Sequence, residues 1–197
     1  MTFPDRLRLP IAFEPGPLRD DLERLTQPDW ISHFVTQNYD GDWSAVPLRG
    51  PAGARHPIQS IYSDPAATEF EDTPLLARCP NMAKALGTFE CKLLAVRLMR
   101  LTPGSRIKEH RDHDLCAEEG LARLHIPITT NPGVTFELNR QPVAMAPGSV
   151  WYLRLSDPHR VANDGASDRV HMVIDAVVGD WLRELLARAA AASSVLS

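Results

Sequence analysis

Short strand-like segments separated by turns fill the second half of the chain, and this pattern constrains the fold most. From Cys91 onward, runs of apolar and β-branched residues alternate with Pro, Gly and Asn turns, which is typical of β-strands. The predicted strands cover 91–101, 105–112, 121–130, 134–138, 142–145, 149–155, 159–163 and 168–178. Eight short strands with tight turns favour a double-sheet jelly roll, the double-stranded β-helix of cupin-like proteins. We therefore expect a mainly β protein of the α+β class.

Helices are expected on both sides of these strands. Three leucines within residues 18–25 share one helical face at i, i+4 and i+7. A short helix is predicted around residues 30–35, and two more between 73 and 87, where a Thr-Pro pair is a typical helix start. The segment 179–197 gathers Trp and Leu on one side of a C-terminal helix, which should pack against a sheet.

Composition indicates an ordinary globular protein. The chain has 197 residues, of which 44% are hydrophobic and 23% charged, so it is large enough to bury one substantial core. We expect a single domain over residues 1–197. It would comprise a helical and loop lead-in at 1–90, the jelly-roll core at 91–178 and the C-terminal helix at 179–197.

Charge and cysteine content argue against several partners. The formal net charge of −4 gives no attraction to nucleic acid or to an anionic membrane. No apolar run approaches the ~20 residues of a membrane helix, and the N-terminus lacks the apolar core of a signal peptide. Three cysteines without metal or redox spacing predict free thiols. We therefore expect a cytoplasmic protein.

The segment KEHRDHDL at residues 108–115 contains a candidate metal site. His110 and Asp112 are two residues apart, and a β-strand turns residues i and i+2 onto the same face. His159 follows after 46 residues, which leaves room for three or four short strands. Two histidines and a carboxylate form the facial triad of non-heme iron(II) oxygenases, which keeps other metal positions open. We predict these three side chains as metal ligands.

Arg169 follows in the strand DRVHMVIDAVV. A guanidinium is permanently charged and binds a carboxylate through two parallel hydrogen bonds. Arg169 is therefore a candidate anchor for the distal carboxylate of a 2-oxo dicarboxylic cosubstrate; the alternative is a surface ion-pair residue. His113 and Asp114 are expected on the opposite strand face, pointing away from the metal, with His113 at the surface.

The strand LARLHIPI places Arg123 and His125 on one face. If that face lines a barrel, both need partners, because an unpaired buried charge is costly. We predict both as catalytic residues that contact cosubstrate or substrate; the alternatives are a structural arginine and a core histidine bonded to backbone. His171 shares strand parity with Arg169, which favours an inward orientation in which it would support the site residues without binding the metal. Arg49 is either another contact for a substrate carboxylate or a surface loop residue.

Four segments, PGSRIKEHRD, RLHIPI, APGSVWYLRLSDPHRVAND and DRVHMVIDAVV, resemble the aspartyl/asparaginyl β-hydroxylase family of Fe(II)- and 2-oxoglutarate-dependent dioxygenases. The chain is most similar to the family's L-proline cis-4-hydroxylase branch, which also shows a His-Arg-Asp triplet and an Arg-x-His strand. The segment DGDWSAVPLRG resembles the N-terminal part of the family. The resemblance thus covers most of the chain beyond about residue 40.

The resemblance implies a role for each site residue. It makes His110, Asp112 and His159 the iron ligands and Arg169 the anchor of the 2-oxoglutarate distal carboxylate. It implies that His125 lies near the cosubstrate's metal-binding carboxylate and that Arg123 faces the substrate. The implied reaction consumes O2, releases succinate and CO2, and hydroxylates a free amino acid or a peptidyl Asp or Asn side chain. Vertebrate-type members have glycine at the position of Asp112 and a cosubstrate-binding serine at the position of Met99.

Two other function classes remain open. A cupin-type metal-dependent isomerase usually takes three histidines and a glutamate, two of the histidines as His-x-His, and no His-x-His occurs in the sequence. A non-catalytic cupin-like module that binds a small molecule would keep the fold with structural histidines. Anaerobic addition of Fe(II) and 2-oxoglutarate discriminates them, because only the oxygenase should give a visible charge-transfer band.

Overall fold

A computed structural model describes residues 2–62 and 66–194, and within them the chain forms strands and four α-helices. The strands are β1 Arg6–Ala12, β2 Ile31–Ser32, β3 Tyr39–Asp40, β4 Trp43–Pro51, β5 Phe70–Asp72, β6 Leu93–Leu101, β7 Arg106–His110, β8 Leu121–Thr129, β9 Val134–Leu138, β10 Gln141–Pro142, β11 Ser149–Leu153, β12 His159–Asn163 and β13 Arg169–Val177. The helices are α1 Pro15–Leu22, α2 Pro57–Ile61, α3 Pro80–Leu86 and α4 Asp180–Ser194.

The strands form two antiparallel sheets. The larger sheet has the order β1-β11-β8-β13-β6-β4-β2, with β5 paired to β4, and the smaller has the order β10-β9-β12-β7-β3. This confirms the predicted mainly β jelly roll. The eight strands predicted after residue 91 correspond to β6 to β13. Seven of them begin and end within two residues of the prediction, whereas the strand predicted at 142–145 is observed at Gln141–Pro142. The larger sheet also takes β1 and β4 from the first third of the chain.

The central strand β13 shows how the two faces of the larger sheet differ. Its even-numbered residues from Val170 to Ala176 join a hydrophobic core that includes buried side chains of α1, α3 and α4. Burying each large apolar side chain there contributes about 1.5–3 kcal/mol. The odd-numbered residues from Arg169 to Asp175 point to the opposite face, and Arg169 and Asp175 line an interior cavity.

Helices α1, α3 and α4 cover the outer face of the larger sheet. Both α1 and α3 have proline in the first turn, where no backbone hydrogen bond is lost. The Asp21 carboxylate of α1 accepts from the Met82 N–H of α3 at 2.8 Å, which holds the two helices together. The C-terminal helix, predicted over 179–197, is observed as Asp180–Ser194 and packs against β1; residues 195–197 lie outside the described chain.

The prediction of a short helix around residues 30–35 is wrong. The chain there is extended, because β2 pairs with β4 and the His33 N–H donates to the Trp43 carbonyl at 2.8 Å. The extended backbone lets the His33 ring stack on Trp43 with centroids 3.6 Å apart. β-branched and aromatic side chains favour such a conformation when a neighbouring strand is available.

The structure shows the state of the cysteines and the lengths of the helices. Cys79, Cys91 and Cys116 are free thiols, as their spacing predicted. Within residues 2–62 and 66–194, no helix combines the length and the apolar run that a membrane crossing requires.

Candidate active site

The two predicted histidine ligands lie on neighbouring strands of the smaller sheet. β7 and β12 pair antiparallel, with His159 directly opposite His110, and their ring centroids are 4.2 Å apart. Asp112 lies two residues beyond His110, and its N–H donates to the Leu155 carbonyl at 2.8 Å. One ligand atom from each of the three side chains lies within 4.8 Å of the others. In the described part of the chain, no other group of three His, Cys, Asp or Glu could hold a metal.

Both imidazoles are oriented by backbone carbonyls. His110 Nδ1 lies 2.8 Å from the Lys108 carbonyl oxygen, and His159 Nδ1 lies 3.0 Å from that of Asp157. A carbonyl only accepts, so each Nδ1 donates to its carbonyl, and Nε2 is the ring nitrogen that remains to bind a metal. Burial lowers the pKa of His159 to about 4, so its ring is neutral at pH 7. Two imidazoles and a carboxylate fit iron(II).

The Asp112 carboxylate has its two oxygens in different surroundings. Oδ1 lies 3.9 Å from His110 Nε2, on the side of the histidine pair. Oδ2 accepts from Arg123 Nη1 at 2.6 Å. One oxygen is thus held by a guanidinium while the other faces the candidate metal position.

Arg123 belongs to a buried charge cluster on the larger sheet. It is directly opposite Asp175 in the β8–β13 register, and its Nε and Nη2 donate to the two carboxylate oxygens of Asp175 at 2.6 and 3.0 Å. Arg97, on β6 at the other side of β13, also donates to Asp175. Burial alone would lower the pKa of Arg123, but the Asp175 and Asp112 carboxylates raise it overall. Asp175 and Arg97 were not predicted as site residues.

Arg169 differs from those two arginines because no carboxylate pairs with it within residues 2–62 and 66–194. Its guanidinium is buried and donates to His171 Nδ1 at 2.9 Å, while its Nε has no hydrogen-bond partner there. Burial lowers the pKa of Arg169 to about 9, so the group remains cationic at pH 7. A buried guanidinium with unused donors is a typical anion site.

Two buried histidines lie beside this guanidinium. His171 is buried and contacts Arg169, and its Nδ1 lies 3.4 Å from His125 Nδ1. Burial, followed by the positive charge of Arg169, lowers the pKa of both imidazoles well below the usual value. His125 Nε2 is buried without a hydrogen-bond partner in the described part of the chain. Two unpartnered nitrogens in one cavity, His125 Nε2 and Arg169 Nε, fit a ligand with several oxygen atoms.

One cavity of about 510 Å³ is lined by all of these side chains except His171, and aromatic side chains form one of its walls. The His33 ring, stacked on Trp43, also stacks on Phe34 with centroids 4.8 Å apart, and Phe34 meets Tyr62 edge to face at 5.5 Å. Burial, followed by the positive charge of Arg97, lowers the pKa of His33 to about 4. The aromatic wall is therefore uncharged at pH 7.

Three further predictions concern residues near the site. His113 is exposed as expected, but His113 and Asp114 line the cavity, so the prediction that they point away is wrong. Strand alternation does not apply to them, because β7 ends at His110. Arg49 lies outside the cavity lining and pairs with Asp72 at 2.6 Å. Arg49 therefore does not line the cavity in which we expect the substrate to bind.

Two comparisons with known proteins match most of the sequence. A protein-family model described as Aspartyl/Asparaginyl beta-hydroxylase matches residues 16–178. L-proline cis-4-hydroxylase of Rhizobium meliloti (strain 1021) is 27% identical over 168 residues, which are 84% of this chain and 58% of that protein. The chain thus spans less than two thirds of this relative's length.

Solved structures agree on the fold. An oxidoreductase of the 2OG-Fe(II) oxygenase family from Burkholderia pseudomallei gives a TM-score of 0.51 at 16% identity, over 82% of this chain and 77% of that one. A viral collagen prolyl hydroxylase from Paramecium Bursaria Chlorella virus-1, in its 2OG complex, gives 0.50 at 8% identity, over 88% and 95%. At these identities the likeness shows the fold alone. From the family model, which covers most of the sequence, the chain belongs to the aspartyl/asparaginyl β-hydroxylase family.

Proposed function

We propose that this protein is an Fe(II)- and 2-oxoglutarate-dependent dioxygenase, and that residues 1–197 form one dioxygenase domain. His110, Asp112 and His159 would hold the iron, and Arg169 would bind the distal carboxylate of 2-oxoglutarate. Iron(II) with 2-oxoglutarate supplies O2 activation coupled to oxidative decarboxylation, which yields succinate, CO2 and a hydroxylated product.

One observation carries this proposal. A triad whose ligand atoms lie within 4.8 Å of one another shares its cavity with a buried guanidinium that has no carboxylate partner in residues 2–62 and 66–194. The triad alone would fit many metal proteins. The lone Arg169 adds a requirement for an anion, and a chelating dicarboxylate satisfies the metal and the arginine together.

The other residues of the cavity would bind and orient the reactants. His125 lines the same cavity as Arg169, and its Nε2 has no hydrogen-bond partner among the described residues, which supports a contact with the metal-binding end of the cosubstrate. The aromatic wall formed by His33 and Trp43 would exclude water from the reacting groups. A dry cavity strengthens each electrostatic contact within it.

The substrate we propose is a small molecule or side chain that bears a carboxylate, either a free amino acid or an Asp/Asn-type residue of a peptide. The name of the relative, L-proline cis-4-hydroxylase, supports a free amino acid. The name of the family, aspartyl/asparaginyl β-hydroxylase, supports the side-chain alternative. Screening amino acids and acidic peptides for coupled succinate release distinguishes the two.

The first test is spectroscopic. Anaerobic addition of Fe(II) and then 2-oxoglutarate to the protein should produce a weak visible charge-transfer band, because the cosubstrate binds iron directly. The same additions to His159→Ala or Asp112→Ala should give no band and no substrate-triggered succinate. Asp164→Ala, which removes an exposed ion pair with Arg106, is the matched control and should keep both signals.

The outcomes separate the function classes. A band in the wild type that vanishes with either ligand supports the dioxygenase. Absence of a band in the wild type supports the non-catalytic binding module. A cupin-type isomerase would give metal binding without 2-oxoglutarate dependence, and the donor set of two histidines and one aspartate departs from its usual three histidines and glutamate.

A further inference from the structure

Asp175 is the centre of the buried charge cluster in the cavity wall. It lies on β13 between β8 and β6, and only 4% of its surface is exposed. Its carboxylate accepts from Arg123 on one side and from Arg97 on the other. Arg97 also donates to the Ile61 carbonyl at 2.8 Å. Two buried arginines are thereby held by one shared carboxylate.

This arrangement decides which edge of Arg123 faces the metal ligands. Nε and Nη2 form a two-pronged pair with Asp175, so the planar guanidinium cannot rotate without losing two charged hydrogen bonds. Nη1 is then directed to Asp112 Oδ2, at 2.6 Å. A lysine ammonium lacks this planar fork, so it could not hold both carboxylates in the same fixed orientation.

We propose that Asp175 is a positioning residue for the metal ligand Asp112, acting through Arg123. By fixing the guanidinium, Asp175 keeps Oδ2 of Asp112 occupied and leaves only Oδ1 for the metal. This inference rests on the proposed function, since it gives Asp112 the role of an iron ligand. It assigns to Arg123 an orienting role in addition to any contact with the substrate.

A one-oxygen carboxylate ligand has a clear use in such a centre. A facial triad works because the protein leaves positions open for cosubstrate and oxygen. A carboxylate that bound through both oxygens would fill one of those positions. Mutating a group that hydrogen-bonds to a metal ligand usually weakens metal binding about 10- to 100-fold. The loss of this orientation should therefore be measurable.

The experiment compares metal binding in three variants of the full chain. Asp175→Asn keeps the shape of the side chain and removes its charge. Arg123→Lys keeps the positive charge and removes the fork. Asp72→Asn is the matched control, because it makes the same change in an exposed ion pair with Arg49 outside the cavity. Mn(II) without cosubstrate is the probe, and electron paramagnetic resonance of free Mn(II) gives the dissociation constant.

We expect Asp175→Asn and Arg123→Lys to raise the Mn(II) dissociation constant about 10- to 100-fold, and Asp72→Asn to leave it within about twofold of the wild type. In iron-saturated samples the KM for 2-oxoglutarate should change little, because Arg169 is untouched. Circular dichroism and thermal melting establish that each variant folds. If Asp175→Asn does not fold, Arg123→Lys decides, because it preserves the balance of buried charge.

Two results would overturn the inference while leaving the proposed function intact. One is wild-type Mn(II) affinity in a folded Arg123→Lys or Asp175→Asn. The other is a raised substrate KM in Arg123→Lys at unchanged Mn(II) affinity, which would make Arg123 a substrate contact alone. Failure of the wild type to bind Mn(II) at all would overturn both the inference and the proposed function.

Discussion

At the scale of single residues, three arginines in one cavity differ through their partners. Arg97 and Arg123 are neutralised by Asp175, and Arg123 also by Asp112. Arg169 is also buried, but its guanidinium pairs with no carboxylate within the described chain and donates instead to His171. Removing a charge from water costs several kcal/mol unless a partner compensates. The uncompensated arginine is therefore the one that a bound anion would stabilise.

Replacement of this guanidinium should weaken cosubstrate binding selectively. We expect Arg169→Ala to raise the 2-oxoglutarate concentration required for half-maximal turnover at least about 10-fold, because charged hydrogen bonds contribute about 1.5–3 kcal/mol. Iron content should stay close to the wild-type value, because the triad lies on other strands. Steady-state kinetics and metal analysis give the two quantities.

The control for that change is Arg160→Ala. Arg160 is on β12 of the smaller sheet, is exposed and pairs with Glu137 at 2.8 Å, so its loss should leave the cosubstrate requirement unchanged. An Arg169→Ala protein with unaltered 2-oxoglutarate dependence would remove Arg169 from the cosubstrate site.

At the scale of elements, sequence patterns predicted strands better than contacts. The periodicity of 91–178 located β6 to β13, and the i, i+2 rule put Arg123 with His125 and Arg169 with His171. The pairing of β7 with β12 could not be read, because antiparallel register depends on which strands meet in three dimensions. That pairing is what sets His159 opposite His110.

Strand parity also contained a signal for a residue that the sequence analysis did not identify. Asp175 continues the odd-numbered series of Arg169 and His171 inside an otherwise apolar strand. A charge there must be buried and paired. Its partner Arg123 is 52 residues away, so only the β8–β13 register reveals the pair. The helix predicted near residue 30 does not form because β2 pairs with β4. Local sequence propensity contains no information about such a pairing partner.

The C-terminal helix should be a major source of stability. Leu186 on α4 is fully buried in the larger hydrophobic core, so Leu186→Ala should lower the free energy of unfolding by about 2–5 kcal/mol. Glu184→Ala, at an exposed position two residues earlier, should change it by no more than about 0.5 kcal/mol. Urea denaturation measures both; equal effects would mean that α4 does not pack on the sheet as described.

At the scale of the whole molecule, the buried apolar residues form two separate hydrophobic clusters. The larger one, between the helices and the outer face of the larger sheet, includes apolar residues of β8 and β13. The smaller includes Leu101, Phe136 and Val161 from three strands of both sheets. The candidate metal ligands belong to the smaller sheet and its end, whereas the buried arginines belong to the larger sheet. The site therefore exists only while the two sheets stay packed together.

Buried neutral histidines should make the metal-free protein sensitive to mild acid. The pKa of His33 falls to about 4 on folding, and those of His125 and His171 fall well below the usual value. Each ring binds fewer protons when folded than when unfolded, so stability is complete above about pH 7 and declines as the pH falls below about 6.5. Each such histidine adds up to about 1.4 kcal/mol per pH unit.

Chemical denaturation of the chelator-treated protein at pH 7, 6 and 5 measures this slope. We expect the free energy of unfolding to fall steadily across the series. We also expect the decline to be shallower in His33→Phe, which keeps an aromatic ring against Trp43 but cannot take up a proton. A free energy that stays constant between pH 7 and pH 5 would show that these rings are not held neutral.

The spacing of His110 and His159 is fixed by a backbone ladder, whereas Phe34 and Tyr62 at the cavity mouth lie just beyond a two-residue strand and a short helix. Mutations can therefore change the shape of the cavity entrance while the pairing of β7 with β12 keeps the two histidines in place. Descendants of one ancestral gene can in this way come to accept different molecules without rebuilding the chemistry.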